Sequence, residues 1–200
     1  MKTYTIFSGV NGSGKSTLFQ LLNNDYGIRI NVDEIVRDQF SHDWKNPKSQ
    51  LQAGRVAITK LHECLKGDIS FNQETTLTGK TIINNIIRAK ANGFKINLFY
   101  IGLENAELSI ERAALREKAG GHGIPEEDLR RRYENSFMNL KQVLPMCDNV
   151  IIYDNSKKNP FETLNPLLIA KDGVEIEWDE IRCPKYLNDI LKDYRRTLTN

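Results

Sequence analysis

The chain has 200 residues, of which 27% are charged and 40% hydrophobic, and its 28 basic and 26 acidic side chains leave a net charge of +2. That composition excludes a disordered or fibrous chain and gives length enough for one sizeable core, so one domain over 1–200 is expected. The charge balance gives no support to nucleic acid or a membrane surface as the main partner.

Tyr4-Thr5-Ile6-Phe7 is rich in β-formers and stops at Ser8-Gly9, which predicts a first strand. A helix follows from Ser16 to Leu22. Ile28-Arg29-Ile30-Asn31-Val32 reads as a second strand ending at Asp33-Glu34. Residues 38–50 mix aromatic, charged and proline residues with no period, so mostly loop is expected, with Phe40, His42 and Trp44 as a satellite cluster or an acceptor pocket. Ala57, Leu61, Cys64 and Leu65 fall at helical spacing. Asp68–Gln73 predicts a third strand that delivers Glu74 at its end. Ile82, Ile83, Ile86 and Ile87 form a helical stripe closed by Gly93.

Ile96–Ile101 is continuously apolar but for Asn97, as suits a strand buried on both faces of a parallel sheet. A helix over Leu108–Leu115 breaks at Gly120-Gly121-His122-Gly123. A long helix then starts near Pro125 and carries Leu129, Tyr133, Phe137, Leu140 and Leu144 on one side. Asn149–Tyr153 is the fifth strand. Beyond it, Lys171-Asp172-Gly173 between two apolar runs signals a hairpin, and a last helix covers Lys185–Arg195. This alternation predicts an α/β, three-layer P-loop fold with a five-stranded parallel sheet, the C-terminal hairpin lying at an edge or on the surface.

Gly9-Val10-Asn11-Gly12-Ser13-Gly14-Lys15-Ser16 matches G-x-x-x-x-G-K-[ST] in full, between a strand and a helix as the motif requires. A triphosphate needs many donors close together. Glycines let successive N–H groups turn inward as an anion nest, and the following helix adds its N-terminal dipole. The loop Gly9–Thr17, with Asn11, Gly12, Ser13 and Gly14, is therefore expected to bind ATP. Lys15 should reach the β- and γ-phosphates and Ser16 should ligate Mg²⁺.

In an open α/β sheet ligands sit at the carboxyl ends of strands. Two carboxylates fall there. Asp33 reads either as the base that takes a proton from an acceptor hydroxyl or as a helix N-cap. Glu74 opens Glu74-Thr75-Thr76-Leu77-Thr78-Gly79-Lys80 and reads as a Mg²⁺ or substrate contact, or as the cap of the next helix. Arg112 and Arg116 share a helical face, and Arg130-Arg131-Arg132 follows the glycine corner. Together 112–132 reads as a lid whose arginines offset charge on a transferring phosphoryl group, with Arg116 the first choice and Arg131 the second. Asn155-Ser156, after the fifth strand, reads either as a plain turn or as the place where adenine commonly rests in P-loop kinases.

The three cysteines, Cys64, Cys147 and Cys183, are too widely spaced for a zinc or disulfide pattern and favour a reducing compartment. No signal-peptide pattern and no run of 18 apolar residues is present. The expected location is the cytoplasm.

Five blocks occur in order: Gly9–Thr17; Asn31-Val32-Asp33; Glu74-Thr75-Thr76-Leu77-Thr78-Gly79; Gly120-Gly121-His122-Gly123-Ile124-Pro125; and Arg130-Arg131-Arg132-Tyr133. Over roughly residues 3–156 the chain resembles the zeta toxin family of P-loop kinases, particularly its small stand-alone bacterial members. The resemblance implies a fold similar to nucleotide and shikimate kinases, and ATP-dependent phosphorylation of a sugar hydroxyl of UDP-N-acetylglucosamine. It implies Lys15 on phosphate, Asp33 as base, Glu74 and Thr76 on the acceptor, and Arg112 near the γ-phosphate. It also implies an antitoxin protein as a partner. The classical toxins carry a second arginine in an Ala-Arg-Ala-Thr type segment. Here the Gly-Gly-His corner takes that place, which leaves the role to Arg116 or Arg131.

Two further readings stand beside a kinase for a small-molecule hydroxyl. One is a nucleoside, nucleotide or polynucleotide kinase. The other is a nucleotide-dependent switch without transfer activity, which has less need of Asp33 and Glu74.

Overall fold

The structure is a computed structural model, and it describes residues 1–41, 46–121, 123–157 and 164–198. In chain order the elements are β1 (Thr3–Ser8), α1 (Lys15–Leu22), β2 (Ile28–Ile30), α2 (Val32–Gln39), α3 (Pro47–Lys66), β3 (Phe71–Thr75), α4 (Lys80–Ala91) and β4 (Lys95–Gly102). Then follow α5 (Ala106–Lys118), α6 (Glu126–Val143), a 3₁₀ turn at Leu144–Met146, β5 (Asn149–Asp154), β6 (Pro166–Lys171), β7 (Val174–Trp178) and α7 (Lys185–Arg195).

The strands form one sheet in the order β2-β3-β1-β4-β5-β6-β7. The first five are parallel, with Tyr4 beside both Phe71 and Ile96. The sheet thus has seven strands rather than five. Of the two places expected for the C-terminal hairpin, it takes the edge: it extends the sheet there, β6 pairing antiparallel with β5 and β7 with β6. The physical reason is in β6 itself: Leu167, Leu168 and Ala170 are buried, so the hairpin needs a sheet neighbour and helices over it. Leu187, Leu191 and Tyr194 of α7 supply part of that cover.

Side-chain alternation in the strands sorts the core into two layers. Tyr4 and Ile6 of β1, with Leu98 and Tyr100 of β4, lie in the larger layer beneath α3, α4, α6 and α7. Phe7, Phe99, Ile101 and Tyr153 lie on the opposite face with Leu18 and Phe19 of α1. Phe7 stacks on Phe99 at 4.9 Å between ring centroids.

Two boundaries differ from those expected. The second strand stops at Ile30 because Asn31 caps α2, accepting from the backbone N–H of Asp33 at 2.9 Å and of Glu34 at 3.4 Å. The third runs Phe71–Thr75, because Asp68 turns the chain at φ +56° and delays it. Glu74 therefore lies inside the strand. The expected loop over 38–50 is largely helical at its ends, α2 reaching Gln39 and α3 starting at Pro47 behind an Asn46 cap. Phe40 packs on the larger core layer, while His42 and Trp44 lie outside the described residues, as does His122 of the glycine corner.

Because five strands are parallel, their carboxyl ends share one edge of the sheet. That edge carries the loop after Ser8, the Asn31–Asp33 turn, Glu74–Thr76, Gly102 and the Asp154–Asn155 turn. Gly102 has a packing role there. A Cβ on it would stand 2.6 Å from Oη of Tyr186, the second residue of α7.

Candidate active site

The loop between β1 and α1 wraps tightly against its surroundings. A Cβ on Gly9 would lie 2.2 Å from the carbonyl oxygen of Ile101, and Gly12 holds φ +73° with Arg112 Cβ 2.8 Å from where its own Cβ would be. Glycine is the residue that permits both. Neighbouring elements hold the loop from outside. Ser109 Oγ of α5 donates to the Asn11 carbonyl at 2.6 Å, and Asn155 Nδ2 donates to the Ser13 carbonyl at 2.9 Å. Asn11 Oδ1 and Ser13 Oγ are buried with no hydrogen-bond partner among the described residues.

Lys15 is buried, and its Nζ donates to the Val10 carbonyl at 2.9 Å. Burial lowers its pKa from the ordinary lysine value. The Glu74 carboxylate is the next influence and opposes this, Arg116 adds to the lowering, and Asp33 and Arg132 follow with opposite signs. Those four charges surround one ammonium group.

Ser16 Oγ donates to Glu74, at 2.8 Å to Oε1 and 3.1 Å to Oε2. Oε2 also accepts from Arg29 Nη2 at 2.7 Å and from Asn31 Nδ2 at 2.9 Å. Three side chains thus fix this carboxylate at the mouth of the loop. Arg29 is itself held by Glu34 and Asn72, and its guanidinium lies 3.7 Å from the Phe19 ring centroid. Such a multiply bonded ion pair is worth more as geometry than as stability.

Asp33 sits in the first turn of α2, after the cap rather than at it. Its carboxylate makes no hydrogen bond to a described residue, and it lines a cleft of about 570 Å³ together with Lys15, Asn11 and Glu74. Glu74 likewise caps no helix: Gly79 precedes α4. Thr76 lines the cleft and shares a 2.9 Å hydrogen bond with Thr78. Arg116, Arg131 and Arg132 form part of the cleft lining, the last two from α6.

Not every expected residue meets there. Arg112 lies behind the loop, its Nη1 3.4 Å from the Gly12 carbonyl and its Nη2 3.0 Å from the Lys157 carbonyl. Arg131 does line the cleft, but its guanidinium is bonded to Asp128 at 2.5 Å. Arg130 turns away to Glu126 and Glu107. Thr17 is exposed on α1, and the Asn155 amide is spent on the Ser13 carbonyl. Arg29 was not singled out from the sequence, and Asn31 and Arg132 were given no individual role there, Asn31 standing only in a family block and Arg132 only among the lid arginines and in a family block. Arg29 and Asn31 alternate with Ile28, Ile30 and Val32, and Arg29 stands in register with Asn72, so a period-2 reading places Arg29, Asn31, Asn72 and Glu74 on one face.

A sheet of five parallel strands extended by an antiparallel hairpin, with helices on both faces, a phosphate loop after its first strand and carboxylates at the same edge define the class: a P-loop kinase-like phosphotransferase fold. The chain belongs to the Zeta toxin family, whose model matches residues 2–161. A relative from Haemophilus influenzae, described only as an uncharacterized protein, is 39% identical over 128 residues, or 64% of this chain and 89% of the relative. Among solved structures, the PezAT chromosomal toxin–antitoxin system of Streptococcus pneumoniae gives a similar chain at TM-score 0.58 and 15% identity, covering 98% of this chain and 86% of that one. A chain of the Pnkp1/Rnl/Hen1 RNA repair complex is similar at TM-score 0.57 and 17% identity. That match covers 70% of this chain but 46% of the repair protein, so this chain spans less than half its length. At these identities the likeness is one of fold.

Proposed function

We propose that the chain transfers the γ-phosphate of ATP to a hydroxyl of a small-molecule acceptor bound in the cleft. The observation that carries this reading is the Asp33 carboxylate, which lines the cleft near Lys15 with no hydrogen bond to a described residue. Asp33 accepts the acceptor's hydroxyl proton. Lys15 and the loop amides hold the triphosphate, while Arg116, with Arg131 and Arg132, offsets charge on the transferring group. Thr76 and Glu74 contact the acceptor. Asn155 and Arg112 act from behind by holding the loop in shape.

The donor set fits Mg²⁺ beside the triphosphate. Ser16 Oγ would ligate it, and Glu74, 2.8 Å from that hydroxyl, would hold it through water. When bound, the ion supplies neutralisation of the β- and γ-oxygens. Membership of the family supports a UDP-N-acetyl sugar as acceptor. The toxin–antitoxin likeness supports an antitoxin protein as a partner.

The test is γ-phosphate transfer from ATP–Mg²⁺ to UDP-N-acetylglucosamine by wild type and Asp33→Asn, beside nucleosides and 5′-hydroxyl oligonucleotides. Asp33→Asn should bind ATP as wild type does and lose at least about a hundredfold in transfer. Full activity in that variant would remove the base from Asp33. Labelling of the oligonucleotide alone would replace the small-molecule acceptor with a nucleic acid end.

A further inference from the structure

The matched family region ends at residue 161, yet α7, well beyond it, touches the nucleotide edge of the sheet. Tyr186 Oη donates to Asp154 Oδ1 at 2.6 Å. The same oxygen accepts from the Ser156 backbone N–H at 3.1 Å and from the Ser156 hydroxyl, which closes the turn after β5. That turn aims Asn155, whose backbone N–H donates to the Gly102 carbonyl at 3.0 Å and whose side chain holds the Ser13 carbonyl at 2.9 Å. Two residues on, the Lys157 carbonyl accepts from Arg112, which also reaches Gly12.

Tyr186 is placed for this by packing on both sides. Its ring meets Phe137 edge-on at 5.6 Å, and its hydroxyl lies over the bare Cα of Gly102. A phenol needs only the ring to fill that space. The hydroxyl is extra, and it goes to a carboxylate rather than to water. Burial and the Asp154 charge both raise the pKa of this phenol, so it stays a donor throughout the working range.

Resting on the nucleotide-binding reading above, we infer that Tyr186 is a positioning residue for the phosphate loop, acting through the Asp154–Ser156 turn and Asn155. It touches no reacting atom. Its hydroxyl fixes the turn that holds the Ser13 carbonyl outward, and this leaves the loop N–H groups set for phosphate before the nucleotide arrives.

The experiment is titration of the full chain with ATP–Mg²⁺ and with tripolyphosphate, by calorimetry, beside thermal melting without ligand. Tyr186→Phe keeps the ring and its packing. It should melt close to wild type, yet bind both ligands about five- to tenfold more weakly, a change that calorimetry resolves. Tripolyphosphate lacks the base, so equal loss on both ligands places the effect on the loop. In a double-mutant cycle Tyr186→Phe should add little to Asn155→Ala, because both act on one link. Ser156→Ala opens the same turn without touching α7 and should weaken binding in the same direction, so it decides the matter if Tyr186→Phe fails to fold. Wild-type affinity in both variants, or full additivity with Asn155→Ala, would overturn the inference. A wild type that binds neither ligand would instead overturn the nucleotide reading itself.

Discussion

At the scale of single residues the site is a contrast between two carboxylates. Glu74 is held by Ser16, Arg29 and Asn31, whereas Asp33 faces the cleft unbonded to described residues. A pinned group positions, and one that lines the cleft without such bonds to described residues can accept a proton. Arg29→Ala should therefore cost about 3 kcal/mol in urea unfolding, because it leaves Glu74 partly buried without its cation. An unchanged midpoint would mean that the pair is only geometric. Lys15→Ala should melt like wild type and lose ATP binding, since among the described residues the Lys15 side chain makes a single hydrogen bond, to the Val10 carbonyl. The depressed Lys15 pKa also sets a pH dependence with two opposite signs. Between the folded and unfolded pKa values the unfolded chain holds more protons, so stability rises with pH across that window. ATP affinity falls there, because phosphate needs the charged ammonium. Its decline should begin at lower pH than an ordinary lysine of pKa about 10.4 would give. Lys15→Arg should abolish that early decline, and an affinity profile flat to the ordinary lysine range would contradict it.

At the scale of elements, what could be read from the sequence depended on how local the cause is. The phosphate loop, the five parallel strands and the long α6 follow from motif and period, which are properties of neighbouring residues. The ends of β2 and β3 did not follow, because a cap at Asn31 and a positive φ at Asp68 override strand propensity. The hairpin was legible as a hairpin, but its place in the sheet depends on burial of Leu167, Leu168 and Ala170 by distant elements. In the site, Lys15, Asp33, Glu74, Thr76, Arg116 and Arg131 could be picked out by type and strand end. Arg112 could not be oriented, since either side of α5 would have suited the spacing. The Tyr186–Asp154 link joins residues 32 apart in the chain, and no pattern of neighbours points to it.

At the scale of the molecule, the C-terminal third is part of the core rather than an appendage. Leu187 and Leu191 are fully buried among residues of the larger core layer. Leu187→Ala should lower unfolding free energy by about 3 kcal/mol, measured by denaturant titration, and a loss below about 1 kcal/mol would show that α7 packs loosely. Among the described residues no helix is long and apolar enough to cross a membrane.

The contact between Gly102 and Tyr186 also has a consequence for how sequences of this kind can diverge. A methyl group at 102 would meet the phenol oxygen at 2.6 Å, and Phe137 stands on the ring's edge. The two positions are therefore not free to drift separately. A lineage that acquires alanine at 102 must shorten or reorient the side chain at 186. One that loses the tyrosine removes the constraint on 102. Across many sequences the pair should covary, glycine with tyrosine, even though 84 residues separate them and neither belongs to a recognised motif.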